Sequence, residues 1–347
     1  MTASPPRLSR RAWLVGTAAG LAQSAALPAR AADAGLLQLF GKPPGSIRRV
    51  FAAGPPAAAL LAALAPDRLL GWPMPLSDAA RAWLPEPARA RPTLGRLSGR
   101  GSTVGVEALL ALAPDLILDA GTVDATYRST AERVATQTAL PYALLDGRLA
   151  DSPAQFRELG RLLGVAPRAE ALARYAQDAL AQAGTVRGAV PGRPSVYLAR
   201  GADGLETALA GAINAEIIEA AGGRNVADTG RAGVARVSME QVLAWNPDWV
   251  LTQDAGFFRG LRSDANWQAL RAVREGRVLL LPDRPFGWID APPGVNRLLG
   301  LRCLAQSLKA GRPQAGEALD EARRFYALFW DSHPTQDELQ ALLDGRG

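Results

Sequence analysis

The longest regular alternation of apolar and polar positions lies between Pro167 and Arg187. Small apolar residues recur there at intervals of three and four, while charged and amide residues fill the other faces. The apolar positions are Ala169, Leu172, Ala173, Ala176, Ala179, Leu180 and Ala183. Pro167 suits a first helical turn and Gly188 ends the run. The pattern therefore predicts one amphipathic helix, about 30 Å long, that could serve as a strut.

The segments on either side of this helix carry the same phrase. Residues 106–118 align without a gap with residues 239–251, and both read Glu-x-x-Leu-x-x-x-Pro-Asp before an apolar run. Each copy predicts a short helix that stops before Pro-Asp and passes directly into a strand. Two such units flanking one long helix predict two similar α/β lobes with a cleft between them.

Strand and helix patterns alternate along the rest of the chain, as is typical of parallel sheets. The predicted strands are 49–53, 69–72, 116–119, 142–145, 195–199, 225–226, 248–252 and 277–281. The other predicted helices are 56–65, 76–84, 125–138, 152–164, 212–221, 238–245, 266–274, 293–309 and 315–330. We expect an α/β protein of two similar lobes with parallel central sheets, joined by one long rigid helix. The predicted units are an N-terminal lobe at 47–150, a helical connector at 151–190 and a C-terminal lobe with terminal helices at 191–347.

The first 31 residues differ in composition from the rest. Ser9-Arg10-Arg11-Ala12-Trp13-Leu14 precedes a weakly apolar run to Leu27, and Ala29-Arg30-Ala31 fits small-residue cleavage. This segment resembles a twin-arginine export signal, cut after Ala31 and followed by a linker at 32–46. Its apolar run is too short, and too rich in Ala, Gly and Ser, to predict a membrane span.

Removal of the signal would change the charge balance. Four of the 39 basic residues and none of the 33 acidic residues lie in it, which leaves 35 basic residues against 33 acidic ones, or +2. No Lys/Arg block with interleaved aromatics points to nucleic acid. Cys303 and His333 are the only residues of their types, so we expect no internal disulfide and no transition metal ligated by the protein.

Taken together, these residues resemble the periplasmic substrate-binding proteins of ABC importers for iron–siderophore complexes and vitamin B12. The resemblance covers residues 49–330 and rests on the duplicated phrase, the Gly222-Gly223-x-Asn225 segment and the long helix. It implies ligand binding between two lobes with little closure. It also implies that a surface glutamate on each lobe docks to arginines of the permease dimer; by position these are Glu107 and Glu240. Each glutamate alone could simply favour its helix N-terminus.

Ligands of open α/β sheets bind at the carboxyl ends of the strands, so the loops there supply the candidate site. Aromatic rings offer rigid contact area and arginines offer forked donors, a mixture that suits an anionic metal chelate. The predicted ligand-binding residues are Trp72, Arg96, Arg100, Tyr127, Arg200, Phe257, Arg284 and Trp288.

Each of these candidates has a structural alternative. Core packing competes equally with ligand contact for Trp72 and Trp288, and Arg96 and Arg100 could be solvated. Asp290 is interpreted as a turn or capping residue rather than a ligand contact.

The resemblance implies an importer component that captures a preformed metal chelate, with a ferric siderophore favoured. A corrinoid, haem or a molybdate-type oxyanion is the alternative ligand, and a sensor, scaffold or exported enzyme on the same fold is the alternative class. An enzyme is disfavoured because the sequence has no Gly-x-Ser-x-Gly elbow, phosphate-binding loop or cluster-forming cysteines. The expected partner is an ABC permease dimer with its ATPase subunits. We expect no resident cofactor, no nucleic acid partner and a monomeric protein.

Overall fold

Two four-stranded sheets form the centres of two lobes in the computed structural model, which describes residues 35–99 and 101–346. The N-terminal sheet contains Leu37–Phe40 (β1), Val50–Ala52 (β2), Leu116–Gly121 (β3) and Tyr142–Asp146 (β4), in the order β1-β4-β3-β2. The C-terminal sheet contains Ser195–Leu198 (β5), Arg224–Asn225 (β7), Trp249–Thr252 (β9) and Val278–Leu280 (β10), in the order β10-β9-β5-β7. Glu206–Ala208 (β6) and Val234–Arg236 (β8) form a separate antiparallel pair. The predicted two-lobe α/β fold is confirmed.

Helices cover the faces of both sheets. Their bounds are Pro55–Leu64 (α1), Asp78–Arg81 (α2), Glu86–Arg89 (α3), Val106–Ala111 (α4), Ala125–Thr138 (α5), Ser152–Leu163 (α6), Ala166–Arg187 (α7), Glu216–Ala220 (α8), Met239–Trp245 (α9), Ala255–Gly260 (α10), Ala265–Gln268 (α11), Arg271–Arg274 (α12), Arg297–Ala310 (α13), Leu319–Trp330 (α14) and Gln336–Leu343 (α15). Short 3₁₀ turns lie at Pro66–Arg68, Leu149–Asp151 and Ala315–Ala318.

The duplicated phrase is a duplicated structural unit. In both copies the residue before the proline has a left-handed backbone, with φ of +43° at Ala113 and +39° at Asn246. The aspartate that follows the proline then accepts a hydrogen bond from a backbone N–H at, or one residue before, the start of the neighbouring strand. Asp115 accepts from Arg49 at 2.9 Å, and Asp248 accepts from Ser195 at 2.8 Å. The Pro-Asp pair therefore joins α4 to β3, and α9 to β9, in the same way.

The long helix α7 contributes to a core that both lobes share. Its 22 residues bury the predicted stripe, except that Leu180 is only partly buried. One continuous cluster contains Leu172 of α7, Leu118 of β3 and Leu251 of β9. The lobes are thus held by common packing along the helices as well as by a strut, and this packing opposes their relative motion.

A buried arginine also ties the lobes together. Arg297 of α13 donates to the carbonyl oxygen of Gly147 in the N-terminal lobe at 2.7 Å and to Ile213 of the C-terminal lobe at 3.0 Å. Its guanidinium lies 3.2 Å from Glu216, whose carboxylate accepts from the N–H of Leu149 at 2.8 Å. We call Arg297 and Glu216 the interlobe pair.

Several predicted elements differ from those observed. The predicted linker 32–46 contains β1, which pairs antiparallel with β4 at the edge of the N-terminal sheet. Residues 69–72 belong to neither four-stranded sheet and make only single bridges, from Leu69 to Val50 and from Trp72 to Thr93. The β6–β8 pair and α15 were not predicted, and α8 is shorter than expected. The predicted export signal lies outside the described residues.

Candidate ligand-binding cleft between the lobes

A cavity of about 550 Å³ lies between the two lobes. Its walls come from the segments that follow β2, β5 and β10, as the prediction for parallel sheets requires. The N-terminal lobe contributes Pro55, Pro56, Ala58, Trp72, Pro73, Met74, Pro75, Leu76, Ser77, Ala80, Arg96, Ser98 and Gly99. The C-terminal lobe contributes Arg200, Glu206, Asn214, Pro285, Phe286, Asp290, Ala291, Pro292 and Pro293.

The N-terminal wall is built around a tight turn beyond β2. The N–H groups of Leu97 and Ser98 both donate to the carbonyl oxygen of Ala53, at 2.8 and 3.1 Å. A Cβ atom on Gly54 would lie 2.7 Å from Ser98 Oγ, so glycine is needed at this close approach. Arg96 extends from the same segment, and its Nε donates to the carbonyl oxygen of Gly101 at 3.0 Å.

A buried carboxyl group fixes the serine of this wall. Ser98 Oγ donates to Asp119 at 3.0 Å, and Tyr142 Oη donates to the other carboxyl oxygen at 3.1 Å. Asp119 is 2% exposed. Burial raises the pKa of Asp119, although the hydrogen bonds from Ser98, Tyr142 and the Ala120 N–H oppose that rise. The Ser98 hydroxyl proton is thus directed into the lobe, which leaves its oxygen as an acceptor toward the cleft.

The C-terminal wall centres on Arg200, which follows β5. Its Nε lies 2.8 Å from Asp290, and its Nη1 pairs with Glu206 of β6. Asp290 is itself held by Asn214, whose side-chain amide donates to it at 2.6 Å. Two carboxylates therefore surround one guanidinium at the cleft wall.

The side chain of Gln253 fixes the loop that contains Asp290 through hydrogen bonds to its backbone. Gln253, just beyond β9, donates to the carbonyl oxygen of Asp290 at 2.9 Å and accepts from the N–H of Asp290 at 2.9 Å. A Cβ atom at Gly287 would lie 1.8 Å from the Asp290 carbonyl oxygen, so only glycine fits there. This loop contains cis peptide bonds before Pro285 and Pro292.

A second chamber of about 360 Å³ adjoins this wall. It shares Arg200, Glu206 and Asp290 with the main cavity and adds Asp254 and Asp283. Among the described residues, four carboxylates and one guanidinium line the chamber, and Arg284 lies 4.0 Å from Asp283.

The structure brings three of the eight predicted ligand-binding residues to the wall of the main cavity, namely Trp72, Arg96 and Arg200. Trp72 is otherwise buried, and its indole N–H donates to the Ala88 carbonyl oxygen at 3.0 Å. Arg100 lies outside the described residues. Ligand contact by the three residues stays a prediction.

Four predicted residues lie elsewhere in the lobes. Phe257 packs edge-on against Trp267 in the C-terminal core, and fully buried Trp288 donates its indole N–H to Tyr326. Both are core residues because their apolar surface is covered by helices of their own lobe. Tyr127 is half-buried against a separate hydrophobic cluster of the N-terminal lobe, which contains Phe51, Ile117 and Leu144. Arg284 flanks the cavity wall at Pro285 but is not part of it.

Sequence reasoning missed several polar residues of the cleft. Glu206 and Asn214 were not considered, and Asp290 was interpreted as a turn residue, although all three line the cavity. Glu206 is brought there by the β6–β8 pair, which gave no clear sequence pattern. The turn interpretation of Asp290 is partly right, because its carboxylate also accepts from the Ala291 N–H at 2.7 Å.

The two predicted docking glutamates lie on the surface, in the first turns of α4 and α9. Val106 and Leu110, beside Glu107, are exposed by 39% and 44%. A hydrogen bond with the Ser238 side chain lowers the pKa of Glu240, so this group is ionised at neutral pH. Exposure is what docking requires, but docking itself stays a prediction.

Within residues 35–99 and 101–346, no three or more His, Cys, Asp or Glu side chains are grouped so that they could hold a metal ion. Across the same residues, none of the helices combines the length and the apolar character needed to cross a membrane.

Comparison with known proteins gives consistent results. The model of a family described as periplasmic binding protein matches residues 78–285. A solved ABC transporter solute binding protein from Sulfurospirillum deleyianum is 28% identical, with a TM-score of 0.78 over 86% of this chain and 95% of that one.

Two further relatives have known ligands. The molybdate-binding protein MolA of Haemophilus influenzae is 30% identical over 116 residues, so the match spans 33% of each protein. The structure of MolA bound to molybdate has a TM-score of 0.64 and 21% identity, over 85% of this chain and 96% of that chain. The vitamin B12 binding protein BtuF of Vibrio cholerae has a TM-score of 0.60 and 20% identity, over 77% of this chain and 99% of that chain. At sequence identities of 21% and 20%, these two solved structures show a similarity of fold only.

Proposed function

Because this chain belongs to the periplasmic binding protein family, we propose that it captures a bulky metal chelate of the ferric siderophore type in the interlobe cleft. Proteins of this kind serve ABC importers, in which they bind a small ligand and present it to permease and ATPase components. The cleft is the natural place for the ligand because both lobes contribute to its walls.

The volume of the cleft is the observation that carries the choice of ligand. A cavity of about 550 Å³ falls in the range of sites for drug-sized molecules, whereas a water molecule occupies only about 30 Å³ of liquid. An isolated oxyanion would fill a small part of this space. A chelate of many heavy atoms would contact both walls at once.

The chemistry of the walls also supports a chelate. Exposed apolar surface comes from Met74 and from rim prolines such as Pro75, while Trp72 and Phe286 line the cavity but are almost fully buried. Arg96 and Asn214 provide donors on opposite sides. Chelates that enclose a metal present both apolar groups and oxygen atoms, so a mixed wall of this kind complements them.

An oxyanion is the second candidate ligand. It is favoured by the stretch of similarity to the molybdate-binding protein MolA and by the presence of two arginines in the cleft. Such an ion would have to bind at one edge of the cavity, through Arg and N–H donors.

Export by the twin-arginine route, cleavage after Ala31, a monomeric state and the absence of catalysis complete the proposal. The pattern of residues 1–31 supports the export route and the cleavage site, and the other two properties accord with a periplasmic binding protein.

We expect tryptophan-fluorescence titration to identify the ligand class, because Trp72 lines the cleft. A ferric trihydroxamate should quench the emission with micromolar or tighter affinity, and the metal-free trihydroxamate should bind more weakly. Cobinamide, haem and molybdate are the competing probes. A response to molybdate or cobinamide, with none to any ferric chelate, would reverse the order of ligands.

A further inference from the structure

We infer that Glu206 and Asp290 are specificity-determining residues that make the cleft select against polyanionic ligands by occupying Arg200. The inference rests on the proposed function and narrows it to chelates of low net charge. The sequence alone suggested the opposite, because arginines in the binding loops favour an anionic chelate.

The inference follows from the way in which the guanidinium group of Arg200 could bind an anion. A guanidinium binds an anion bidentately through one of two edges, either Nε with Nη2 or Nη1 with Nη2. In this structure Nε lies 2.8 Å from Asp290 in an ion pair, and Nη1 donates a hydrogen bond to Glu206. Each edge therefore already has one nitrogen paired with a carboxylate. An anion that binds to either edge would therefore compete with one of these two ion pairs.

The two carboxylates are held firmly in place. The side chain of Asp290 is 3% exposed, and its second oxygen accepts from Asn214 at 2.6 Å and from the Ala291 N–H at 2.7 Å. Gln253 fixes the backbone of the same residue. Glu206 is the first residue of β6, and the pairing of β6 with β8 fixes its backbone. An anion that displaced Asp290 from Arg200 would leave a buried carboxylate without its counter-charge, which is costly.

The charge of the cleft points the same way. The described walls of the main cavity contain the guanidinium groups of Arg96 and Arg200 and the carboxylates of Glu206 and Asp290, which balance each other. The described walls of the adjoining chamber add the carboxylates of Asp254 and Asp283, and Arg284 lies 4.0 Å from Asp283. A polyanion would therefore meet repulsion beside Arg200, whereas a neutral ligand would not.

The test compares an electrically neutral ferric trihydroxamate with a trianionic ferric tris-catecholate on the full-length mature protein. Isothermal titration should show that the wild type prefers the neutral chelate. Asp290→Asn and Glu206→Gln should each shift the ratio of the two dissociation constants toward the trianion by about tenfold, since each removes one carboxylate next to Arg200. Affinity for the neutral chelate should change by less than about threefold.

Asp203→Asn is the matched control. Asp203 lies between Arg200 and Glu206 in the chain and pairs with Arg236 on the surface, outside both cavities. Its loss removes the same charge from the same lobe, and the ratio should stay at the wild-type value. Circular dichroism establishes that each variant is folded, and the more exposed Glu206 provides an independent test if Asp290→Asn is unstable.

The possible outcomes distinguish a failure of the proposed ligand from a failure of the role inferred for Glu206 and Asp290. Failure of the wild type to bind either chelate would overturn the proposed ligand. Binding of the neutral chelate with an unchanged ratio in both Glu206→Gln and Asp290→Asn would overturn only the role of these residues. An equal shift in Asp203→Asn would show that total charge, rather than occupation of Arg200, sets the preference. A wild type that prefers the trianion would also contradict the inference.

Discussion

Reversing the charge of both docking glutamates, in a Glu107→Lys, Glu240→Lys protein, should weaken binding to the cognate ABC permease and its ATPase by about 100-fold. Both side chains are exposed at equivalent positions of the duplicated unit, one on each lobe. They can therefore meet basic groups on the two halves of a permease dimer at the same time. Charge reversal replaces two attractive contacts with two repulsive ones.

The measurement is the affinity of the protein for the permease and ATPase in lipid nanodiscs, together with the ATP hydrolysis that it stimulates. Glu86→Lys, Asp337→Lys is the matched control. Both of its residues are exposed in the first turn of a helix but lie outside the duplicated phrase. The control has the same change in net charge and should retain binding. Equal weakening by both double variants would show that docking depends on overall charge and not on these two positions.

Replacing Arg297 with methionine should lower the free energy of unfolding by about 3–5 kcal/mol. The Arg297 side chain is only 4% exposed and donates to Gly147 and Ile213 as well as to Glu216. Burial raises the pKa of Glu216, and the charge of Arg297 opposes that rise. Without Arg297, the partly buried Glu216 loses its paired counter-charge, and the Gly147 carbonyl oxygen loses its donor.

Urea denaturation followed by circular dichroism measures this loss. Arg161→Met provides the control, because Arg161 forms an exposed pair with Glu158 within α6 and should contribute less than about 1 kcal/mol. Adding Glu216→Gln to Arg297→Met should restore part of the stability. A loss below about 1 kcal/mol for Arg297→Met would mean that the interlobe pair does not hold the lobes together.

The sequence predicted the parts of the fold that depend on local pattern. The phrase around Glu107 and Glu240 combines helix, Pro-Asp turn and strand within a few residues, so its periodicity and turn chemistry identify it. The α7 stripe is likewise local, because one face of the helix is apolar over its whole length. Elements that depend on distant pairing were missed, as β1 shows: it is a strand only because β4 lies beside it.

The candidate site was predicted less well, for a physical reason. A residue type and a position near a strand end do not determine which way a side chain faces. Trp288 follows β10 as expected but turns into the core, where Tyr326 accepts its N–H. Arg200 reaches the cleft, yet its ability to bind an anion is set by Glu206 and Asp290, which the fold brings from separate segments. The charge balance of a cleft therefore depends on the tertiary structure and does not follow from the local sequence.

The ligand should bind between the lobes, and the lobes should not move apart to receive it. A crystal structure with a bound ferric trihydroxamate, located by the anomalous signal of iron, tests this directly. We expect the iron in the cavity between Arg96 and Arg200, with the hydrogen bond from Arg297 to Gly147 intact. Iron located outside this cavity, or lobes rotated so that this hydrogen bond is broken, would contradict the account.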